Sequence, residues 1–129
     1  MIVSCRVEGP SGAVRELSAL LDFNSRYCVM FARDAMDIGF QETGNRPREW
    51  QSLYPDRAPF LLGLRGIERA ILITLKSVGL GSLVAHDVDA VTMEMEPSRL
   101  LPFDVVLGRS FLDNFKMVYD GRRGYLSLE

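Results

Sequence analysis

Few residues in this chain have chemistry to offer, and Asp22 stands out among them. It closes the apolar run Leu17-Ser18-Ala19-Leu20-Leu21 and is followed at once by Asn24 and Ser25, residues suited to a turn. A strand that runs straight into a loop would hold Asp22 at a fixed place, with backbone on one side. A general acid, a general base or a binding carboxylate needs that arrangement, because sites gain from loops held by rigid scaffold. An ordinary surface aspartate at the end of an element shows the same local pattern.

The other reactive side chains exclude more than they promise. There is one histidine, His86, so neither a histidine metal site nor a Ser-His-Asp triad is expected, and His86 beside Asp87 reads as a surface pair. The two cysteines, Cys5 and Cys28, make no disulfide framework and no metal-ligand spacing. Met93 and Met95 alternate with charged neighbours along a strand pattern, which suits core filling better than a soft-metal box. No metal or other cofactor is expected. A net charge of −2, with no basic run interleaved with aromatics, argues against a nucleic-acid partner.

At 129 residues the chain suits one domain spanning 1–129, able to bury roughly two thirds of its unfolded surface in a single core. No apolar run reaches the roughly 20 residues that span a bilayer. The start, Met1–Glu8, lacks the apolar core of a signal peptide. The expectation is a reduced, cytoplasmic protein without membrane contact.

The elements that must position Asp22 are short. Ile2–Val7 reads as a strand, broken by Gly9-Pro10-Ser11-Gly12. Val14–Leu21 fits two periods: Leu17, Ala19, Leu21 and Phe23 share a strand face, yet Arg15–Leu21 also has helix propensity. Tyr27–Phe31 is a strand. Phe31, Ala35 and Ile38 then fall at helical spacing, with Asp34 and Asp37 on the outer face and Gly39 as the stop. The polar stretch 41–59, with Trp50 and Tyr54, reads as a lid or partner contact rather than plain disorder. Phe60–Leu64 and Ile67–Leu75 read as strands, and Gly79-Leu80-Gly81-Ser82 as a turn. Val91, Met93 and Met95 alternate cleanly. Phe103–Gly108 reads as a strand buried on both faces, Arg109–Phe115 as a short helix, and Met117–Tyr119 with Tyr125–Leu128 as a hairpin. Many short strands, two short helices and frequent glycine turns predict a mostly-β, barrel-like domain. An apolar strand, tight loop and short helix occur at Ala19–Ile38 and again at Phe103–Phe115.

That echo, with Asp22 closing its first copy and Gly108 its second, resembles the retropepsin-like aspartic proteases. The matching residues are Leu20-Leu21-Asp22 with Ser25, then Val105-Val106-Leu107-Gly108-Arg109 with the helix at Ser110–Phe115. The likeness implies a closed β-barrel of the acid-protease fold with one or two short helices, and it implies strand rather than helix at Val14–Leu21. It also implies a homodimer, in which Asp22 and the Asp22 of a twofold mate share one proton around a bound water. Asn24 and Ser25 would line the place of a peptide or protein ligand. A flap near Ser52–Gly66 would add Leu62 and Gly63 to that lining.

Four residues depart from the pattern. Phe23 stands where the family has Thr or Ser, whose hydroxyl bonds across the dimer. Asn24 replaces a glycine. Arg26 stands near the point where an acid pairs with the arginine of the second motif, so Arg26 and Arg109 would repel if they met. Ser110 replaces Asp or Asn. Together these changes predict a homodimeric, peptide-binding protein of this fold with peptide-bond hydrolysis weakened or lost. The alternatives are an active aspartic endopeptidase and an unrelated small β-barrel binding module.

Overall fold

A computed structural model describes residues 2–40, 47–49, 69–93 and 102–129. In chain order the elements are β1 (Ile2–Glu8), β2 (Val14–Leu21), β3 (Cys28–Phe31), α1 (Ala32–Asp37), β4 (Pro47–Glu49), β5 (Arg69–Leu80), β6 (Leu83–Met93), β7 (Val105–Leu107), α2 (Arg109–Leu112), β8 (Met117–Asp120) and β9 (Tyr125–Leu128). The strand order is β1-β2-β7-β3-β6-β5, and β5 returns to pair with β1, which closes a barrel of six strands. The expected fold class, a mostly-β closed barrel with two short helices, is the one observed.

Alternation explains the first strands. Cys5 and Val7 of β1 and Leu17 and Ala19 of β2 point into the core, with Ser4, Arg6, Glu16 and Ser18 exposed between them. The period-two reading of Val14–Leu21 therefore wins over the helical one. Leu17 and Ala19 gain burial only on a strand face, and a weak helix propensity cannot offset that loss.

The β5–β6 ribbon bends in a way the sequence did not announce. Alternation runs through Ile73 and Leu75, then resumes at Val78; on β6 it runs from Ala85 to Val88 and Ala90. Both strands thus change phase at the same level, between the pairs Leu75–Val88 and Ser77–His86. Asp87 lies at that level with φ 55°, in the left-handed region. Beyond the bend, Ser77, Val78 and Gly79 pair with Glu8, Val7 and Arg6 of β1. The phase change is what lets one long hairpin serve both the β3 side and the β1 side of the barrel.

Several expected boundaries move. Gly79 and Leu80 belong to β5, so the turn is confined to Gly81-Ser82. Strand β6 begins at Leu83, well before the alternating stretch at Val91. Thr92, expected on a polar face, is buried with Val91 and Met93. Within the polar stretch, Pro47–Glu49 pairs with β5 at the edge of the sheet that the described residues form, and proline is tolerated there as the first residue of a strand. The expected lid or partner contact with Trp50 and Tyr54, and the strand Phe60–Leu64, lie outside the described residues. Of β7, Val105 and Leu107 are buried and Val106 is half-buried.

Helix α1 corrects a second expectation. Asp37 is exposed, but Asp34 is buried at 6% exposure. The helix packs against β3 and β6, and the Arg15 guanidinium of β2 lies 3.5 Å from Asp34 and also pairs with Asp37. Burial pushes the Asp34 carboxyl above its ordinary value, with Arg15 opposing the shift. Gly39 ends the helix with φ 106°, as expected of a C-terminal glycine. Among the described residues no helix is long and apolar enough to cross a membrane.

Strands β8 and β9 form a separate two-stranded sheet. Lys116 and Glu129 exchange backbone hydrogen bonds at 2.8 Å beyond its open end. At the turn, the Asp120 carboxylate accepts from the N–H groups of Arg122 and Arg123. Leu128 reaches the core, while Met117, Val118, Tyr119 and Tyr125 stay exposed.

Candidate functional site

Asp22 follows β2 directly. Its N–H donates to the Leu107 carbonyl at 3.1 Å, which carries the parallel β2–β7 pairing one step past Leu21–Leu107. The backbone of Asp22 is thus fixed by the end of β7. Its carboxylate is fixed by the loop that follows: Oδ1 accepts from the Asn24 N–H at 3.0 Å, and Oδ2 from the Ser25 hydroxyl at 3.1 Å. Asp22 itself is half-buried, Ser25 is buried and Asn24 is exposed. Two short-range donors orient the carboxylate without covering it, as a group meant to meet a partner or ligand requires.

The second copy of the strand-loop-helix echo clamps this loop. The Ser25 carbonyl accepts from Arg109 N–H at 2.8 Å, and the Arg26 carbonyl from Ser110 N–H at 3.0 Å. Gly108 makes the approach possible. A Cβ there would overlap the Tyr27 carbonyl oxygen and lie 2.7 Å from the Ser25 carbonyl oxygen. Its backbone is extended, at φ −94° and ψ −167°, so the demand is for space and not for an unusual conformation.

The departures at positions 23, 24 and 26 are absorbed locally. Phe23 is half-buried and packs against the chain's own core, so its bulk does not force the loop open. Among the described residues Asp87 is the one non-glycine with positive φ, so Asn24 adopts an ordinary backbone and the replaced glycine costs nothing there. The Arg26 guanidinium lies over the Tyr27 ring, 5.4 Å from its centroid. That contact gives the charge a use other than facing Arg109, whose side chain is exposed. Of the expected site residues, Asp22, Asn24 and Ser25 are brought together. Leu62 and Gly63 lie outside the described residues. Ser110 was known only as a departure; its contacts, described below, leave no trace in residue spacing.

Thiol chemistry finds no support. Burial, with the nearby Cys28 and Asp104 adding to it, pushes the Cys5 thiol up to about 12, and burial likewise raises that of Cys28. Both cysteines are buried and unbridged. Among the described residues no group of three or more His, Cys, Asp or Glu could hold a metal ion. His86 and Asp87 are exposed on β6.

No family model matches the sequence, and no curated protein does. Solved structures do. The crystal structure of a retropepsin-like aspartic protease from Rickettsia conorii superposes with a TM-score of 0.59 over 98% of this chain and 79% of that one, at 20% identity. The retroviral protease-like domain of Ddi1 from Leishmania major gives 0.59 over 100% and 87%, at 16% identity. The chain has a retropepsin-like fold.

Proposed function

We propose that the protein is a homodimeric peptide-binding protein of the retropepsin-like fold, in which Asp22 of each copy faces the other across a twofold axis. The observation that carries this reading is the Asp22 carboxylate itself, oriented by Asn24 N–H and Ser25 Oγ on a loop clamped from behind by Gly108–Ser110. The chain supplies one such aspartate, and a second copy would supply the other. The C-terminal hairpin supports the same partner. A lone two-stranded sheet is marginal in water, and this one exposes Met117, Val118, Tyr119 and Tyr125. A second copy would cover that surface.

Peptide would lie across the paired carboxylates, with Asn24, Ser25, Leu62 and Gly63 proposed as the residues that bind it. Phe23 cannot give the cross-dimer hydrogen bond that a hydroxyl would, a loss of about 1 kcal/mol for each bond. Hydrolysis is therefore weakened or lost on this reading. One observation favours a second reading, an active aspartic endopeptidase: the loop holds its carboxylate undistorted despite Phe23 and Asn24. In that case two facing carboxylates cannot both ionise; one would activate water while the other, still protonated, polarises the peptide carbonyl.

Peptide-library binding and cleavage at about pH 4 to 6, for the wild type and Asp22→Asn, test both readings. Binding without cleavage by either protein supports the first. Cleavage by the wild type alone supports the second. Equal cleavage by both, or no peptide binding at all, overturns the role given to Asp22.

A further inference from the structure

Ser110, the second residue of α2, is half-buried behind the Asp22 loop. Its Oγ lies 2.7 Å from the Asp89 carbonyl oxygen and 3.0 Å from the Cys28 nitrogen. The Cys28 Sγ is 3.4 Å away. A hydroxyl has one proton to give. The short contact to Asp89 takes it, which leaves the lone pairs to accept from Cys28 N–H. Cys28 opposite Ala90 is the first pair of the parallel β3–β6 ladder, and Asp89 directly precedes Ala90. One hydroxyl therefore joins a donor of β3 to an acceptor of β6 at the point where their ladder begins. The same residue's N–H holds the Arg26 carbonyl within the loop.

We propose that Ser110 is a positioning residue for Asp22. The loop is fixed at its near end by β7, through Asp22 N–H and the Leu107 carbonyl, and at its far end by Ser110. The hydroxyl sets the direction in which the chain leaves the loop into β3, and the loop between is short enough for that direction to reach Ser25 and its hydrogen bond to the carboxylate. Without the hydroxyl, the Cys28 N–H and the Asp89 carbonyl lose this common partner behind the loop. They recover by moving toward each other or by taking a water in the hydroxyl's place, and either loosens the exit of the loop into β3. The consequence for peptide chemistry rests on the role given to Asp22 above; the positioning itself does not.

The test uses the full chain, labelled with 15N and 13C, as wild type, Ser110→Ala and Ser110→Thr. Amide hydrogen exchange and the carboxyl 13C resonance of Asp22 are read in each. Ser110→Ala is expected to speed exchange at Ser25, Cys28 and Arg109 roughly ten-fold relative to β5 and β6 amides, and to move the Asp22 resonance. Ser110→Thr, which keeps the hydroxyl, restores both. Should the alanine variant not fold, Ser110→Cys, a weaker donor, is expected to give the same two changes at smaller size. A uniform rise in exchange across the barrel, or an Asp22 resonance unmoved while the loop amides loosen, overturns the proposal. These readouts need no cleavage, so failure of the peptide assay would fall on the reading of Asp22 and not on Ser110.

Discussion

Beside the Asp22 loop, Gly108 is the residue at which a single methyl group matters most. Ser25 and Tyr27 carbonyls crowd the place a Cβ would take, and both are backbone atoms that cannot swing aside. Gly108→Ala is expected to lower stability by about 2–3 kcal/mol, the upper part of the range for overpacking, and a drop in the urea midpoint checks it. Phe23 presents the opposite balance. Its ring packs on the core, so Phe23→Thr should cost roughly 1–2 kcal/mol of stability. Yet Phe23→Thr combined with Asn24→Gly should raise any peptide cleavage, because in the proposed dimer it would restore a hydroxyl able to bond across the axis. No gain in activity would mean that the loop meets its partner differently. Asp22, Asn24 and Ser25 were legible as one turn because a carboxylate after an apolar run, then Asn and Ser, already encodes a loop. Ser110 was not. Its partners are the backbone of Cys28 and Asp89, and no side-chain type marks a backbone partner.

Strands and helices carry their own tests. Asp34 illustrates how a helix can hide a charge that helical spacing puts outside. Period alone puts Asp34 on an outer face, whereas the short α1 packs on β3 and β6 and Arg15 of β2 reaches Asp34. Burial makes the folded carboxyl hold its proton more tightly than the unfolded one does. The folded state therefore binds more protons in the acid range, and this group's contribution to stability is greatest below the ordinary carboxylate value. It falls as pH rises from that value through the raised one. Asp34→Asn should flatten that part of a stability-against-pH curve; an unchanged slope would mean Arg15 cancels the burial. The bend in β5–β6 makes a second test. Asp87 holds a left-handed backbone at a cost of about 1 kcal/mol that glycine avoids. Asp87→Gly should hold or raise the thermal midpoint, and Asp87→Val should lower it. The bend was invisible to a search for regular alternation, since it consists of alternation breaking on two strands at once.

For the whole molecule the sequence foretold a mostly-β barrel with two short helices, because strands with a buried face announce themselves by period. It did not foretell which strands meet. The parallel pairings β2–β7 and β3–β6 join residues far apart in the chain, and no local pattern encodes them. The exposed hairpin β8–β9 belongs to the same scale. Val118→Asp with Tyr119→Asp should leave the barrel folded and weaken self-association at least roughly ten-fold, as read by sedimentation. The most direct measurement of the central claim is the distance between the two Asp22 carboxylates in a crystal of the protein with a peptide ligand. Direct or water-bridged hydrogen-bonding reach between them is expected. A separation of about ten ångströms, or a single Asp22 facing solvent with no second copy, would contradict it.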